Sequence, residues 1–418
     1  MICTRVKWLI FLLVIITLTS CTFARGNNSK ITVTLSGWQS SPNESQLLRR
    51  VLQDFEAEHP DIKVKYEVIN QQYMDVIKTR LIGDTAPYVF YLDAFEAPLL
   101  MQNNVLEPLN TYINDEFDLS DFIPTLLNAF KSNNKIFGLP KDFSTLALFY
   151  NQQAFEAAKL TQPPATWTEL QQYSQKLTRD WNGDRRIDQY GLGIIPELSR
   201  QSFLIKTFGG TLINQNGYAT FATPEGLKGL QLIVDLYRKY RTAAQPSDVG
   251  ASTGSEMFGQ GKAAMVIEGS WAIPYLKETF PKLKFATAEL PTIAGKKGTM
   301  AYTVAYVMNK RTKYKDAAWK LIAFLTSKKG MKAWANQGLV LPSRQSVIAE
   351  LGYDQNPLYA PFVAGADYAT IWQAGETLPT VLTHFNNQFI SALIGEQSLN
   401  EAMERAQVSA NKEIAASQ

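Results

Sequence analysis

A chain of 418 residues has room for one large or two medium domains, and its make-up (45% hydrophobic, 19% charged, 11% aromatic) is that of a globular protein. A net charge of +3, with no basic block or stripe, argues against nucleic acid as a partner. Only Cys3, Cys21, His59 and His384 are available for thiolate, zinc or Ser-His chemistry, which all but excludes those activities.

Arg5 and Lys7 form a positive n-region, followed over residues 8–18 by an apolar run. That run is short for a membrane span, which needs about 20 residues. Leu18-Thr19-Ser20-Cys21 resembles the bacterial lipobox, in which the Cys is diacylated and becomes the mature N-terminus. A plain secretory peptide or an uncleaved anchor is the alternative. Residues 1–20 are therefore expected to be a lipoprotein signal peptide, Cys21 the lipidation site, and the polar residues 21–30 a tether. The mature chain would then hold no disulfide and depend on burial for its stability.

Residues 31–35 alternate and are β-branched, which predicts a strand, and 37–43 read as a loop. Over 44–59, Leu47, Leu48, Val51, Leu52 and Phe55 share one helical face. His59-Pro60-Asp61 stops that helix, and 62–68 is a second strand. This β-loop-α-β order opens a doubly wound sheet. A helix over 73–82 follows, then an apolar strand over 88–92 ending at Asp93, and 106–109 closes a short helix. Residues 138–155 read as a turn, a polar strand end, a buried strand from Leu146 to Tyr150, and a helix capped by Asn151. A polar segment feeding a core strand is where open α/β sheets hold ligands, although a solvated strand edge has the same pattern.

Thr166-Trp167-Thr168-Glu169 opens another helix, with Thr166 or Thr168 as its cap. Strands are expected at 192–195, 263–267, 283–290 and 302–308, and helices at 203–208, 224–240, 256–261, 274–280 and 314–326. Asn214 to Gly217 and Leu341 to Arg344 are turns. From Leu358 the pattern is helical, ending in an amphipathic helix over 399–414. Asp180, Asn182, Asp184 and Asp188 alternate as in an EF-hand Ca²⁺ loop. Gly183 falls at the wrong position and no closing Glu follows, so a polar β-turn is the alternative. No cofactor is expected.

Five groups of motifs then occur in a recognisable order. They are Ser41-Pro42-Asn43-Glu44 with Phe55 to Pro60; Pro87 to Asp93 with Val105 to Leu109; and Gly138-Leu139-Pro140 to Asn151 with Pro164 to Leu170. After these come Phe258 to Met265 with Gly269-Ser270-Trp271, and finally Ala317-Ala318-Trp319 with Phe324 to Ser327 and Leu341 to Arg344. From Lys30 onward the chain resembles the extracellular solute-binding proteins of bacterial ABC importers. Within them it is similar to the carbohydrate branch that includes maltose- and trehalose/maltose-binding proteins.

That resemblance implies an α/β, periplasmic-binding-protein type II fold, with two lobes joined by three hinge crossings and a ligand cleft between them. Lobe 1 would comprise residues 31–142 and 287–340, and lobe 2 residues 143–286 and 341–418. The crossings would fall near 141–146, 285–289 and 337–342. The implied function is to bind a disaccharide or related solute (trehalose, maltose, sucrose or glucosylglycerol type) and deliver it to a membrane permease. The protein would be non-enzymatic, monomeric and lipid-anchored outside the cytoplasmic membrane. A glycerol-3-phosphate-type ligand is the alternative, and a glycoside hydrolase a remote one.

A neutral sugar needs polar partners for its hydroxyls and a flat aromatic for its C–H faces. By resemblance, Glu44, Asp93, Asp142 and Ser144 would bind hydroxyls, Ser144 standing where relatives often carry an acid. Trp271 is the best stacking candidate, with Tyr302, Trp38 and Trp372 as further platforms, and Arg344 would reach the ligand. For several of these a structural role is also open: a helix-start charge for Glu44, an N-cap for Asp93, lobe core for Trp271 and a surface ion pair for Arg344.

Overall fold

Strand β1, Ile31–Gly37, forms where the β-branched alternation predicts it, and each of its residues pairs in parallel with β2, Ile62–Val68. Between them, the helix Pro42–Glu58 buries Leu47, Leu48, Val51, Leu52 and Phe55, the stripe read from the sequence. The structure, a computed structural model, describes residues 30–39 and 42–417, and only the backbone of Pro42 and Asn43. The expected signal peptide, Cys21 and nearly all of the tether lie outside the described residues.

Further along the chain come β3 (Val89–Asp93), the small hairpin of β4 (Lys131–Ser132) and β5 (Lys135–Ile136), and the long strand β6 (Gly138–Asn151). Then follow β7 (Tyr190–Gly193), β8 (Ala243–Ala244), β9 (Ala263–Gly269), β10 (Phe285–Ala288), β11 (Thr299–Met308) and β12 (Ala369–Ile371). Among the described residues ten strands make one sheet with the main order β2-β1-β3-β11-β6-β9-β7-β8; β10 pairs with β6 and β12 with β11. The pairs at the two ends of this order are parallel, whereas the neighbouring pairs β3–β11, β11–β6 and β6–β9 are antiparallel. Two doubly wound halves are thus stitched by an antiparallel seam.

Each half has its own core. One gathers Val33, Phe55, Val89 and Tyr306; the other gathers Leu148, Phe203, Phe385 and Met403. Strand β6 belongs to both, with Leu139 in the first core and Leu146 in the second. Strand β11 likewise has Met300 in the second core and Ala305 in the first. The passage expected near 285–289 is therefore displaced along the chain, because β10 remains paired with the second-core part of β6. A third apolar cluster, including Phe149, Phe258, Leu341 and Phe362, packs alongside β6.

Local signals explain many element ends. The Asn151 side chain accepts from the backbone N–H groups of Gln153 and Ala154, starting the helix Gln152–Ala157. Thr166 and Glu169 form a reciprocal capping box on the helix Trp167–Leu177. Other expectations were displaced. Lys141 to Thr145 is buried strand and not a polar lip. Leu106 makes a bridge to Asn309, and the short helix is Ala97–Gln102.

Arg344 falls in this frame and not in a cleft. It is 1% exposed, and its guanidinium donates to the carbonyls of Thr326 (2.6 Å), Asp118 (2.9 Å) and Phe117 (3.0 Å). It pairs with Asp121 at 3.2 Å and lies 4.1 Å from the Phe122 ring centroid. Asp121 also accepts from Ser346. Burial alone would raise the Asp121 pKa, but the Ser346 and Arg344 contacts outweigh it and hold it below the usual carboxylate range. Removing one partner of such a pair strands the other charge. Arg344→Ala is expected to cost about 3–5 kcal/mol of unfolding free energy in urea titration, and a loss below about 1 kcal/mol would show that the clamp is dispensable.

Candidate functional site

Where the antiparallel seam meets the ends of β3 and β9, the surface folds into a cavity of about 600 Å³. Its floor is a cross-strand row: Val304 of β11 pairs with Asp93 on one side and with Asp142 on the other. The β6–β11 register slips beside it. Val304 pairs with Asp142, but Ala305 pairs with Pro140, which leaves Lys141 as the unpaired residue of a bulge.

The bulge has a chemical consequence. Consecutive residues on a regular strand point to opposite faces, yet Lys141 and Asp142 are ion-paired here with both side chains largely buried. The Lys141 ammonium lies 4.8 Å from the ring centroids of both Tyr91 and Trp334. Trp334 also donates its indole N–H to Asp142 at 3.3 Å. A charge, its counter-ion and two aromatic rings therefore fix one another beneath the cavity. Both Lys141 and Asp142 line the opening.

Asp93 ends β3 and accepts the Phe95 N–H at 2.8 Å. Burial raises its pKa to about 6; nearby Glu96 and Asp142 push the same way, and the Phe95 N–H opposes them. Glu44 sits in the first turn of the helix Pro42–Glu58, lines the cavity and is 8% exposed. Trp38 lines the cavity from the loop after β1, edge-on to Tyr73 (4.9 Å) and Tyr91 (5.3 Å).

The opposite wall is built on β9. Ser144 accepts the Ser270 N–H at 2.8 Å and the Ser270 hydroxyl at 3.1 Å, tying β6 to the turn that carries Trp271. A Cβ on Gly269 would lie 2.2 Å from the Trp271 ring, so only glycine lets the indole fold back over this turn. The Trp271 N–H donates to Glu268 at 3.2 Å, and Glu268 pairs with Arg200 at 3.2 Å. The Arg200 guanidinium lies 5.0 Å from the Trp271 ring centroid and 5.8 Å from that of Tyr302. Tyr302 meets Trp271 edge-on at 5.6 Å and donates its hydroxyl to the Ser199 carbonyl at 2.7 Å. Trp271 remains 38% exposed, with its outer side free to meet a ligand.

The cavity thus brings together seven positions read from the sequence: Trp38, Glu44, Asp93, Asp142, Ser144, Trp271 and Tyr302. Two lie elsewhere. Arg344 is held in the frame described above, and Trp372 is 6% exposed and stacked on Phe95 with a 3° interplanar angle. In the loop of Asp180, Asn182, Asp184 and Asp188, carboxylate and amide oxygens accept backbone N–H groups of the same loop. Among the described residues no group of three or more His, Cys, Asp or Glu could hold a metal ion. Sequence reasoning missed Lys141, Tyr275 and Glu278. The last two could have been found, because they fall four and seven residues after Trp271 in the expected helix.

The chain matches the family model of the bacterial extracellular solute-binding proteins over residues 39–332. It is 28% identical over 319 residues to a candidate binding protein of Brucella abortus (strain 2308), covering 74% of this chain and 75% of that one. It is 24% identical over 293 residues to a maltotriose-binding protein of Pyrococcus abyssi (strain GE5 / Orsay), covering 68% and 60% of the two chains. Among solved structures it resembles an ABC substrate-binding protein of Listeria monocytogenes in complex with cycloalternan. The TM-score is 0.82 at 22% identity, over 93% of this chain and 100% of that one. The fold is that of the type II periplasmic sugar-binding proteins.

The raised Asp93 pKa has a definite sign. Below about pH 4 the carboxyl is protonated in both folded and unfolded chains. Between that point and about 6 the folded protein keeps a proton that the unfolded chain has released, so stability falls as pH rises through this window. Asp93→Asn should remove this dependence: unliganded wild type should lose up to about 3 kcal/mol relative to the variant between pH 4 and pH 7. Parallel stability curves for the two proteins would show that Asp93 is not destabilised by its surroundings.

Proposed function

The chain belongs to the bacterial extracellular solute-binding protein family, and from that premise we propose that it captures a carbohydrate outside the cytoplasmic membrane for an ABC importer. The observation that carries this reading is one cavity with the outer face of Trp271 on one wall and Glu44, Asp93 and Asp142 opposite. An indole offers a flat apolar surface to the C–H face of a sugar, and carboxylates accept from its hydroxyls. The ligand class is a disaccharide or related sugar or compatible solute, of the trehalose, maltose, sucrose or glucosylglycerol type. The maltotriose-binding relative and the cycloalternan-bound neighbour support a sugar.

A glycerol-3-phosphate-type ligand fits this cavity less well. A phosphate calls for several cationic or N–H donors. The cation lining the cavity, Lys141, is already paired with Asp142, and Glu44, Asp93 and Glu278 add negative charge. Membership of a solute-binding family makes the chain a binding protein and not an enzyme, so the neighbouring carboxylates have no hydrolytic role.

We take the two cores as two lobes that move about β6 and β11, with the closed form presented to the permease. The working form is a monomer held at the membrane by lipid on Cys21. No described helix is long and apolar enough to cross a membrane.

A thermal-shift screen of sugars, osmolytes and phosphate esters tests the reading. A ligand present at about 100 times its Kd adds about 2.7 kcal/mol of stability. The expected result is stabilisation by at least one carbohydrate. Stabilisation by a phosphate ester, with none from any sugar, would overturn it. Trp271→Ala is expected to weaken sugar binding by about tenfold or more in calorimetric titration, in the upper range for loss of an aromatic contact. Unchanged affinity would show that the ring does not touch the ligand.

A further inference from the structure

Trp271 immediately precedes the helix Ala272–Thr279, and the cavity continues along one face of that helix. Tyr275 and Glu278 follow Trp271 at spacings of four and seven, which places all three on the same side. Four aromatic residues are exposed among the described residues: Trp181, Trp271, Tyr275 and Tyr314. Two of these stand one helical turn apart, both are 38% exposed, and both line the cavity. Aromatic rings left in water at such spacing beside a ligand cavity point to an occupant that covers them.

Resting on the sugar reading above, we propose that Tyr275 and Glu278 form an outer subsite for a second sugar ring, with Trp271 serving the inner one. The helix rises about 1.5 Å per residue, so Trp271 and Tyr275 are separated by about 6 Å along its axis. That separation suits consecutive rings of one chain. Tyr275 supplies the apolar face and Glu278 the hydroxyl acceptor, repeating outward the chemistry that Trp271 and the floor carboxylates provide inside.

The outer ring is braced before any ligand arrives. Tyr275 meets Phe280 edge-on at 6.0 Å and 72°. Phe280 in turn packs over Gly259, where a Cβ would lie 2.2 Å from its ring. A held side chain loses little further freedom on binding, so the contact contributes more of its energy to affinity. The ligand class narrows accordingly, to an oligosaccharide of two or more rings that runs from the sheet floor outward along this helix.

The test is calorimetric titration of the mature chain with glucose, maltose and maltotriose and with mannose, mannobiose and mannotriose. The proteins are wild type, Tyr275→Ala, Tyr275→Phe and Glu278→Gln. In wild type, affinity should rise with ring number within the series that binds. Tyr275→Ala should weaken binding of the two- and three-ring sugars about fivefold, the usual range for one aromatic contact, and leave any one-ring sugar that binds within about twofold. Tyr275→Phe should retain the gain, and Glu278→Gln should reduce it. Two- and three-ring sugars that keep wild-type affinity in Tyr275→Ala, a one-ring sugar weakened as much as the longer ones, or no gain in wild type from one ring to two would overturn the subsite and leave the sugar reading standing. Failure of every sugar to bind wild type would remove the sugar reading itself, and the subsite with it.

Discussion

The pairing of β6 with β11 is the constraint on which the rest depends. These two strands alone carry residues of both large cores, and their antiparallel contact joins two halves whose other strands run parallel. The single slip in their register lies on the cavity floor. A bulge at this point is not neutral for the chemistry. It turns Lys141 toward its own neighbour Asp142 and so places a buried ion pair where a regular strand would have sent the two charges apart.

The ion pair stands in a low-dielectric setting, and its desolvation is offset by specific partners. Tyr91 and Trp334 flank the ammonium, and the Trp334 N–H shares the carboxylate. Asp93, a few residues away across Val304, has no such counter-ion and shows the cost of burial as a raised pKa. Two carboxylates on one floor therefore differ in setting: Asp142 is ion-paired with Lys141, whereas burial raises the pKa of Asp93 to about 6. On the facing wall, Arg200 and Glu268 never reach the opening, yet they orient Trp271 by a ring contact and a hydrogen bond. Rigid backing of this kind lets the Trp271 ring stay exposed without collapsing onto its own core.

How legible this was in the sequence depended on how local each signal was. Asn151 capping its helix and the Thr166–Glu169 box follow from hydrogen bonds within four residues, and both were readable. The order of motifs placed Asp93, Asp142 and Trp271 near strand ends; Asp93 and Trp271 lie there, whereas Asp142 lies within β6. Arg344 read equally well as a ligand contact, because the sequence cannot tell whether a guanidinium faces a cleft or the Thr326, Asp118 and Phe117 carbonyls. Trp372 similarly depended on Phe95, which lies far from it in sequence and stacks on it in space. Strand β12 is three residues long, too short for its alternation to stand out from a helical background.

By itself the sequence determined most of the longer elements, the α/β character and the family, because hydrophobic period, caps and motif order are properties of consecutive residues. It also supplied the aromatic and acidic side chains that line the cavity. Only the tertiary structure decided which of them share the cavity. Registers between strands some 160 residues apart, as in the Thr303–Asp142 hydrogen bond, are set by packing of the whole sheet and leave no local trace. The Lys141 bulge is the clearest case: both residues of the ion pair are adjacent in sequence, yet their pairing depends on the register of β11, a strand some 160 residues later in the chain.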